Sequence, residues 1–270
     1  MVKVKVIIIC LLNSIFYKQI QSYQFSGDAT AFGGSNEGGF CGFKQKSFNY
    51  DSKIQVALNS KQWNNSLNCG RCVSISYQNT PPITALISNK CPECKYGDLD
   101  LFEEAYSLII KKSPGREKIK WDFINCPSDF VVGNIKLRID HINQYWLSIN
   151  PENFACGIVK MEILFDTKWI EMDRNDDDTN KKNKMNGLFF IYHNFVKTPF
   201  QLKLASMYND IIITPKYDKI ENILLTNKQF KCDKIGNLQT LEPNCNLPMP
   251  EIQSPSPIIK PLPTSQCICK

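Results

Sequence analysis

The chain has 270 residues, 43% of them hydrophobic and 21% charged, with a formal net charge of +6. That apolar content supports packed cores and excludes a wholly disordered chain. The charge is weak and evenly spread, and Lys3, Lys5 and Lys18 of the first 22 residues carry half of it, so no nucleic-acid partner is expected.

Residues 1–22 start basic (MVKVKV), continue as an apolar run and turn polar over residues 17–22. This is the layout of a secretory signal peptide cleaved near Ser22. The run is too short for a membrane span, and no later segment reaches about 18 apolar residues. A secreted, extracellular chain is expected, with no membrane span once mature.

Residues 23–127 are rich in Gly and Cys, and the short runs CVSISY and ITALIS predict strands. A helix is predicted near residues 54–58 and a second in YGDLDLFEEAY (96–106). There D-L-F-E puts Asp100 at an N-cap and Glu103 three positions on, as a capping box. Phe102, Ala105, Tyr106 and Ile109 recur at helical spacing before SPG ends the run. Local sequence alone therefore reads Asp100 as a cap rather than a chemical group.

From Phe130 the texture changes. NIKLRID alternates Ile135, Leu137 and Ile139, FQLKLAS alternates Phe200, Leu202 and Leu204, and GIVKMEILF, GLFFIYHNF and DIIIT are further apolar runs. Short strands at this spacing predict a β-sandwich over residues 128–229. The charge run DRNDDDTNKKNKMN inside it reads as a solvated loop. Residues 230–270, with PEIQSPSPIIKPLPTS, read as an extended, disordered Pro- and Cys-containing tail.

The chain has twelve cysteines, of which Cys10 falls in the signal segment. Cys69-x2-Cys72 and Cys91-x2-Cys94 stand at zinc-ribbon spacing. Export to an oxidising compartment argues instead for disulfides, and Cys41 and Cys126 raise the set to an even six. Cys156, Cys232, Cys245, Cys267 and Cys269 remain, an odd number that leaves a free thiol or an intermolecular disulfide through the tail.

GDATAFGG (27–34), GGFCGF (38–43), CGRC, ALISNKCPEC and GDLDLFEEAY follow one another as in the first domain of expansins, and QYWLSI, KMEI and TKWIEM resemble the second. The resemblance runs from about residue 23 to 228. It implies a mainly β fold: a six-stranded double-psi β-barrel over 23–127 followed by an immunoglobulin-like, carbohydrate-binding β-sandwich over 128–229. It also implies the disulfides Cys41–Cys69, Cys72–Cys126 and Cys91–Cys94, which leaves no metal site, and no cofactor. Expansins loosen cellulose-rich walls without hydrolysis, so the implied partner is cellulose or a related β-glucan.

The resemblance puts the essential carboxylate on Asp100 and a groove-lining threonine on Thr30. Three departures stand out. Phe102 replaces a serine usually free to cap the helix, neutral Asn89 replaces an upstream aspartate, and Cys91 replaces a tyrosine. The groove is thus poorer in acid groups, which keeps a passive glucan-binding matrix protein in play. In the second domain, Tyr145 and Trp146 match the first two rings of a linear aromatic platform, which binds the apolar faces of glucose. Adjacent strand residues point to opposite faces, so both can serve only where the backbone is irregular. The third platform position falls near Asp177, in the charge run, with Tyr192 as a substitute. Trp169 is expected to pack in the sandwich, and Trp63 and Trp121 in the barrel.

An inverting endoglucanase is the remaining alternative. It needs a second carboxylate about 6.5–9.5 Å from the first. Asp28 reads as a turn carboxylate, and His141 and His193 both fall in the second domain, which excludes a histidine-assisted triad in the first. Asn64-Asn65-Ser66 is an N-glycosylation sequon at Asn64.

Overall fold

The computed structural model describes residues 25–33, 39–44, 54–174 and 188–232. All of them fall in one compact unit, Met1–Gly236; the second unit, Asn237–Lys270, lies outside the described residues. So do the predicted signal peptide and the position near Asp177.

β1 (Phe25–Phe32), β2 (Gln55–Asn59), β3 (Cys72–Tyr77), β4 (Ile83–Cys91), β5 (Leu99–Phe102) and β6 (Glu117–Ile124) close into a barrel in the order β1-β5-β2-β4-β3-β6. Strands β1 and β5 pair in parallel, as do β2 and β4, while the other contacts are antiparallel. Val56, Leu58, Val73, Ile75, Ile87, Leu99 and Leu101 are fully buried in this region. Their removal from water is the main term holding the barrel closed. Where β1 meets the turn before β5, Gly27 and Gly97 lie backbone to backbone: a Cβ on Gly27 would meet the Gly97 carbonyl, and one on Gly97 would meet the Ser26 carbonyl. Gly97 also has φ +87°, and its carbonyl accepts from the buried Trp121 indole at 2.8 Å. Trp63 and Trp121 are both buried, as the sequence predicts.

The helices predicted here shift in the structure. Residues 54–58 are not helical, because Gln55–Asn59 is strand β2, held between β5 and β4. The helix α1 (Ser60–Trp63) follows it, with the Asn59 side chain accepting from the Gln62 amide. Asp100 is not a cap either. It lies inside β5, and the helix α2 (Glu103–Ile110) has Phe102 at its N-cap with no side-chain cap hydrogen bond. Pairing with strands on both sides outweighs a cap worth about 1 kcal/mol.

The second half forms two sheets. One contains β9 (Ile158–Phe165), β10 (Lys168–Glu171), β13 (Leu202–Ser206) and β14 (Ile211–Ile213) in the order β10-β9-β13-β14. The other contains β7 (Lys136–Asn143), β8 (Trp146–Glu152), β11 (Asp173–Arg174), β12 (Phe190–Tyr192) and β15 (Ile223–Leu225) in the order β11-β12-β8-β7-β15. Met161, Ile163, Leu202 and Leu204 of the first sheet and Leu137, Leu147, Ile149 and Phe190 of the second are buried, the alternation expected of facing sheets. One expectation fails. Trp169 pairs with Leu164, one step out of phase with buried Ile163, so it lies on the sheet's outer face under Lys203 Nζ at 4.8 Å. Of the charge run only Asp173 and Arg174 fall among the described residues; Arg174 donates to the carbonyls of Ser66 and Ile158 at 2.8 Å each, and the rest of the run lies outside them.

Buried polar contacts join the barrel to the sandwich. Asn150 Nδ2 donates to the Cys41 carbonyl at 3.1 Å, Arg138 donates to the Gly42 carbonyl at 2.6 Å, and the Cys126 amide donates to the Ala155 carbonyl at 2.8 Å. Arg138 also pairs with the fully buried Glu152 at 2.9 Å. Burying such a charge is tolerable only with a partner of this kind. Disulfides Cys41–Cys69, Cys72–Cys126 and Cys91–Cys94 have the pairing that the resemblance implies and leave no thiolate for a zinc-ribbon site. A fourth joins Cys156 to Cys232.

Candidate functional site

Leu99 and Leu101 point into the barrel, so Asp100 between them points out. Its strand neighbours complete a row: Thr30 pairs with Asp100, Asp100 with Ala57, and Ala57 with Asn89. Directly paired residues share a face, so four strands from distant parts of the chain present Thr30, Asp100, Ala57 and Asn89 together. The Thr30 hydroxyl donates to Asp100 Oδ1 at 2.5 Å, and Oδ2 carries no hydrogen bond among the described residues. Asn89 is partly committed, because its Oδ1 accepts from the Phe40 and Lys90 amides at 2.8 and 2.9 Å and so fixes the Gly39–Phe40 turn against β4. Two residues along β1 and β5, on the same face, Phe32 pairs with Phe102 and the two rings stand edge to face at 5.7 Å. That aromatic pair beside Asp100 was missed from sequence, where Phe102 looked like a helix residue.

Burial pushes the Asp100 carboxyl above the usual carboxylate range; the Thr30 hydroxyl pulls it back down, Glu93 adds to the rise, and Arg116 opposes it. Asp28 is different. It is no turn residue but part of β1, where Oδ1 meets Lys118 Nζ at 2.5 Å and Oδ2 meets Arg116 at 3.1 Å. The Lys118 contact foremost holds its carboxyl below the usual range; burial opposes it, and Arg116 adds to the lowering. Both Asp28 oxygens are engaged by cations, which makes the carboxylate a weaker base.

On the sandwich, β7 and β8 form a hairpin in which Asn143 pairs with Trp146. Tyr145 therefore sits in the turn, not in the strand, and its ring is 70% exposed. Trp146, half-buried, stands on the side of β8 opposite Leu147 and Ile149; Ser148 on its own side is fully buried. The turn is the backbone irregularity that brings both rings to the surface. Tyr192 cannot extend the set, since it pairs with Leu147, faces the interior and is 6% exposed. The next residue, His193, does lie beside Trp146, with ring centroids 4.9 Å apart.

Asn64 is exposed in a left-handed turn that includes Asn65 and Ser66, although the Ser66 side chain is buried beneath Arg174. Ligand atoms of Cys156, Asp210 and Cys232 lie within 4.8 Å of one another, but both sulfurs are joined in a disulfide, and Asp210 accepts from the Cys232 amide, so the group does not fit a metal ion. Among the described residues no helix is long and apolar enough to cross a membrane.

A closed six-stranded barrel is thus joined to a two-sheet sandwich, with an outward carboxylate on the one and exposed rings on the other. In sequence the chain is 25% identical over 211 residues to Expansin-like protein 6 of Dictyostelium discoideum, covering 73% of this chain and 68% of that relative. It is 32% identical over 94 residues to Expansin-YoaJ of Bacillus subtilis (strain 168), covering 34% of this chain and 39% of that relative. In fold it matches the crystal structure of an apo expansin of Clavibacter michiganensis, with a TM-score of 0.60, 17% identity, and coverage of 76% of this chain and 96% of that one. A mutant of that expansin, solved in complex with cellohexaose, matches with a TM-score of 0.60 and 16% identity. No protein-family model matches the chain. The chain is expansin-like in sequence and in fold.

Proposed function

We propose that this chain is a secreted protein that binds cellulose or a related β-glucan and loosens its packing without cutting it. The observation that carries this reading is the Thr30–Asp100 pair, set in the row that continues through Ala57 to Asn89 on the outer face of the barrel. Chains in such polymers adhere through interchain hydrogen bonds and stacked sugar faces. A half-buried carboxylate oriented by one hydroxyl, with no hydrogen bond on its second oxygen among the described residues, accepts a hydrogen bond from a sugar hydroxyl that another chain had accepted. Tyr145 and Trp146 hold the polymer by stacking while that exchange proceeds. Applied stress then moves the chain, and no covalent bond breaks.

Two observations support non-hydrolytic action. Inverting hydrolysis needs a base that activates a water, and the ion pairs of Asp28 with Lys118 and Arg116 weaken it as a base. Asn89, at the other end of the row, has no acid to offer. A passive glucan-binding matrix protein is the second reading, favoured by the commitment of Asn89 Oδ1 to two backbone amides. In either reading, glycosylation at Asn64 and an intermolecular disulfide through Cys245, Cys267 or Cys269 are compatible with an extracellular setting.

The test is mechanical creep of a cellulose-rich wall under constant load. Asp100→Asn abolishes creep and keeps binding if the loosening reading is right. Native protein that binds but produces no creep establishes the passive reading. New reducing ends released from swollen cellulose would establish a hydrolase.

A further inference from the structure

We propose that His193 is a positioning residue of the Trp146 surface, and that protonating it strengthens glucan binding there. The inference rests on the glucan-binding reading above. The chain has two histidines, His141 and His193, and both fall on the face that carries Trp146. Strand β8 runs between β7 and β12. On one side Asn143 pairs with Trp146 and His141 with Ser148; on the other, Ile191 pairs with Ser148. His193 follows β12, and its ring meets the indole edge to face, with planes at 85°. Beyond it, on β11, Asp173 pairs with Ile191 and places Oδ2 3.2 Å from His193 Nε2. Carboxylate, imidazole and indole thus form a line across three neighbouring strands.

Among the described residues, Asp173 is the charged group that faces His193 from β11. The β8 neighbour is the uncharged indole, and past it on β7 lies His141, whose Nε2 is 3.3 Å from Asn143 Nδ2. Arg174 is turned away, its guanidinium held by Ser66 and Ile158.

Stacking on glucose demands a fixed indole plane, and a tryptophan at a strand end is otherwise free to rotate. A protonated imidazole donates from both nitrogens. It keeps Asp173 on Nε2 and is drawn to the indole π-system as a cation. The neutral ring loses the charge attraction to Asp173 and the pull on the indole. Imidazole is the ordinary side chain whose charge changes between mildly acidic and neutral conditions.

The test is depletion of the full-length protein from solution by insoluble cellulose at pH 5 and pH 8. It compares native protein, His193→Gln and Asp173→Asn, and repeats each in an Asp100→Asn background so that the barrel carboxyl cannot supply the response. Native protein is expected to bind about two- to fivefold more tightly at pH 5, the size an exposed ion pair supports. His193→Gln, which keeps an amide of similar reach, binds alike at both pH values, and Asp173→Asn shows a reduced response. Equal native binding at both pH values, or an undiminished response in His193→Gln, overturns the inference alone. No native binding at either pH removes the glucan reading and the inference with it.

Discussion

Thr30 and Asp100 are 70 residues apart in sequence and hydrogen-bonded across parallel strands β1 and β5 at 2.5 Å. This hydroxyl is the partner that lowers the Asp100 carboxyl against the upward push of burial. Thr30→Val therefore raises the pH at which Asp100 titrates and costs about 1 kcal/mol of stability, the usual worth of one hydrogen bond. Carboxyl carbon shifts followed against pH check the first point. An unchanged titration would show that the pair does not hold in solution.

Asp100 also links stability to pH. Its folded-state carboxyl is raised above the unfolded value, so the folded state holds the proton more tightly. That contribution is fully present below the unfolded value, near pH 3.8, and is lost as pH rises through the folded one. At neutral pH the charged, desolvated group is a cost. Asp100→Asn is expected to unfold at a higher temperature than native protein at pH 7, with the difference closing below pH 4. A variant less stable than native at pH 7 would contradict this.

Much of the barrel was legible in the sequence, and the site was legible only in part. Alternation gave the sandwich strands, and the motif order gave the barrel. In LDLF, by contrast, two local patterns compete: Leu99, Asp100 and Leu101 alternate as a strand, while D-L-F-E reads as a capping box. What decides is pairing with β1 and β2, whose residues lie far away in sequence. The same holds for the row from Thr30 to Asn89, which exists only once the parallel pairings form. The sequence names Trp146 as a candidate but gives no sign that His193 lies beside it, because β8 and β12 meet across more than forty residues of chain.

The register of that row depends on Gly97. A methyl group there meets the Ser26 carbonyl, in a backbone conformation that favours glycine. Gly97→Ala is expected to lower the melting temperature by about 5–10 °C, as overpacking and strain of this kind do in a chain of this size. It should also reduce creep, since β1 and β5 must shift. A melting temperature within a degree of native would show that the contact relaxes freely.

The Cys156–Cys232 disulfide closes a loop with a sequence separation of 76 around the sandwich. By the loop-entropy argument its loss costs about 3–5 kcal/mol. Cys232→Ser is expected to lower the urea midpoint, and reducing agent should then have less further effect on the sandwich than it has in native protein. An unchanged midpoint would mean the bridge contributes no stability.

The most direct test of the central claim is depletion of the secreted protein from solution by insoluble cellulose, beside a Tyr145→Ala/Trp146→Ala variant. Both rings are outside the buried core, so the variant is expected to fold. The account predicts that native protein is taken up and the variant remains in solution. Native protein left in solution, or a variant taken up equally well, would contradict it.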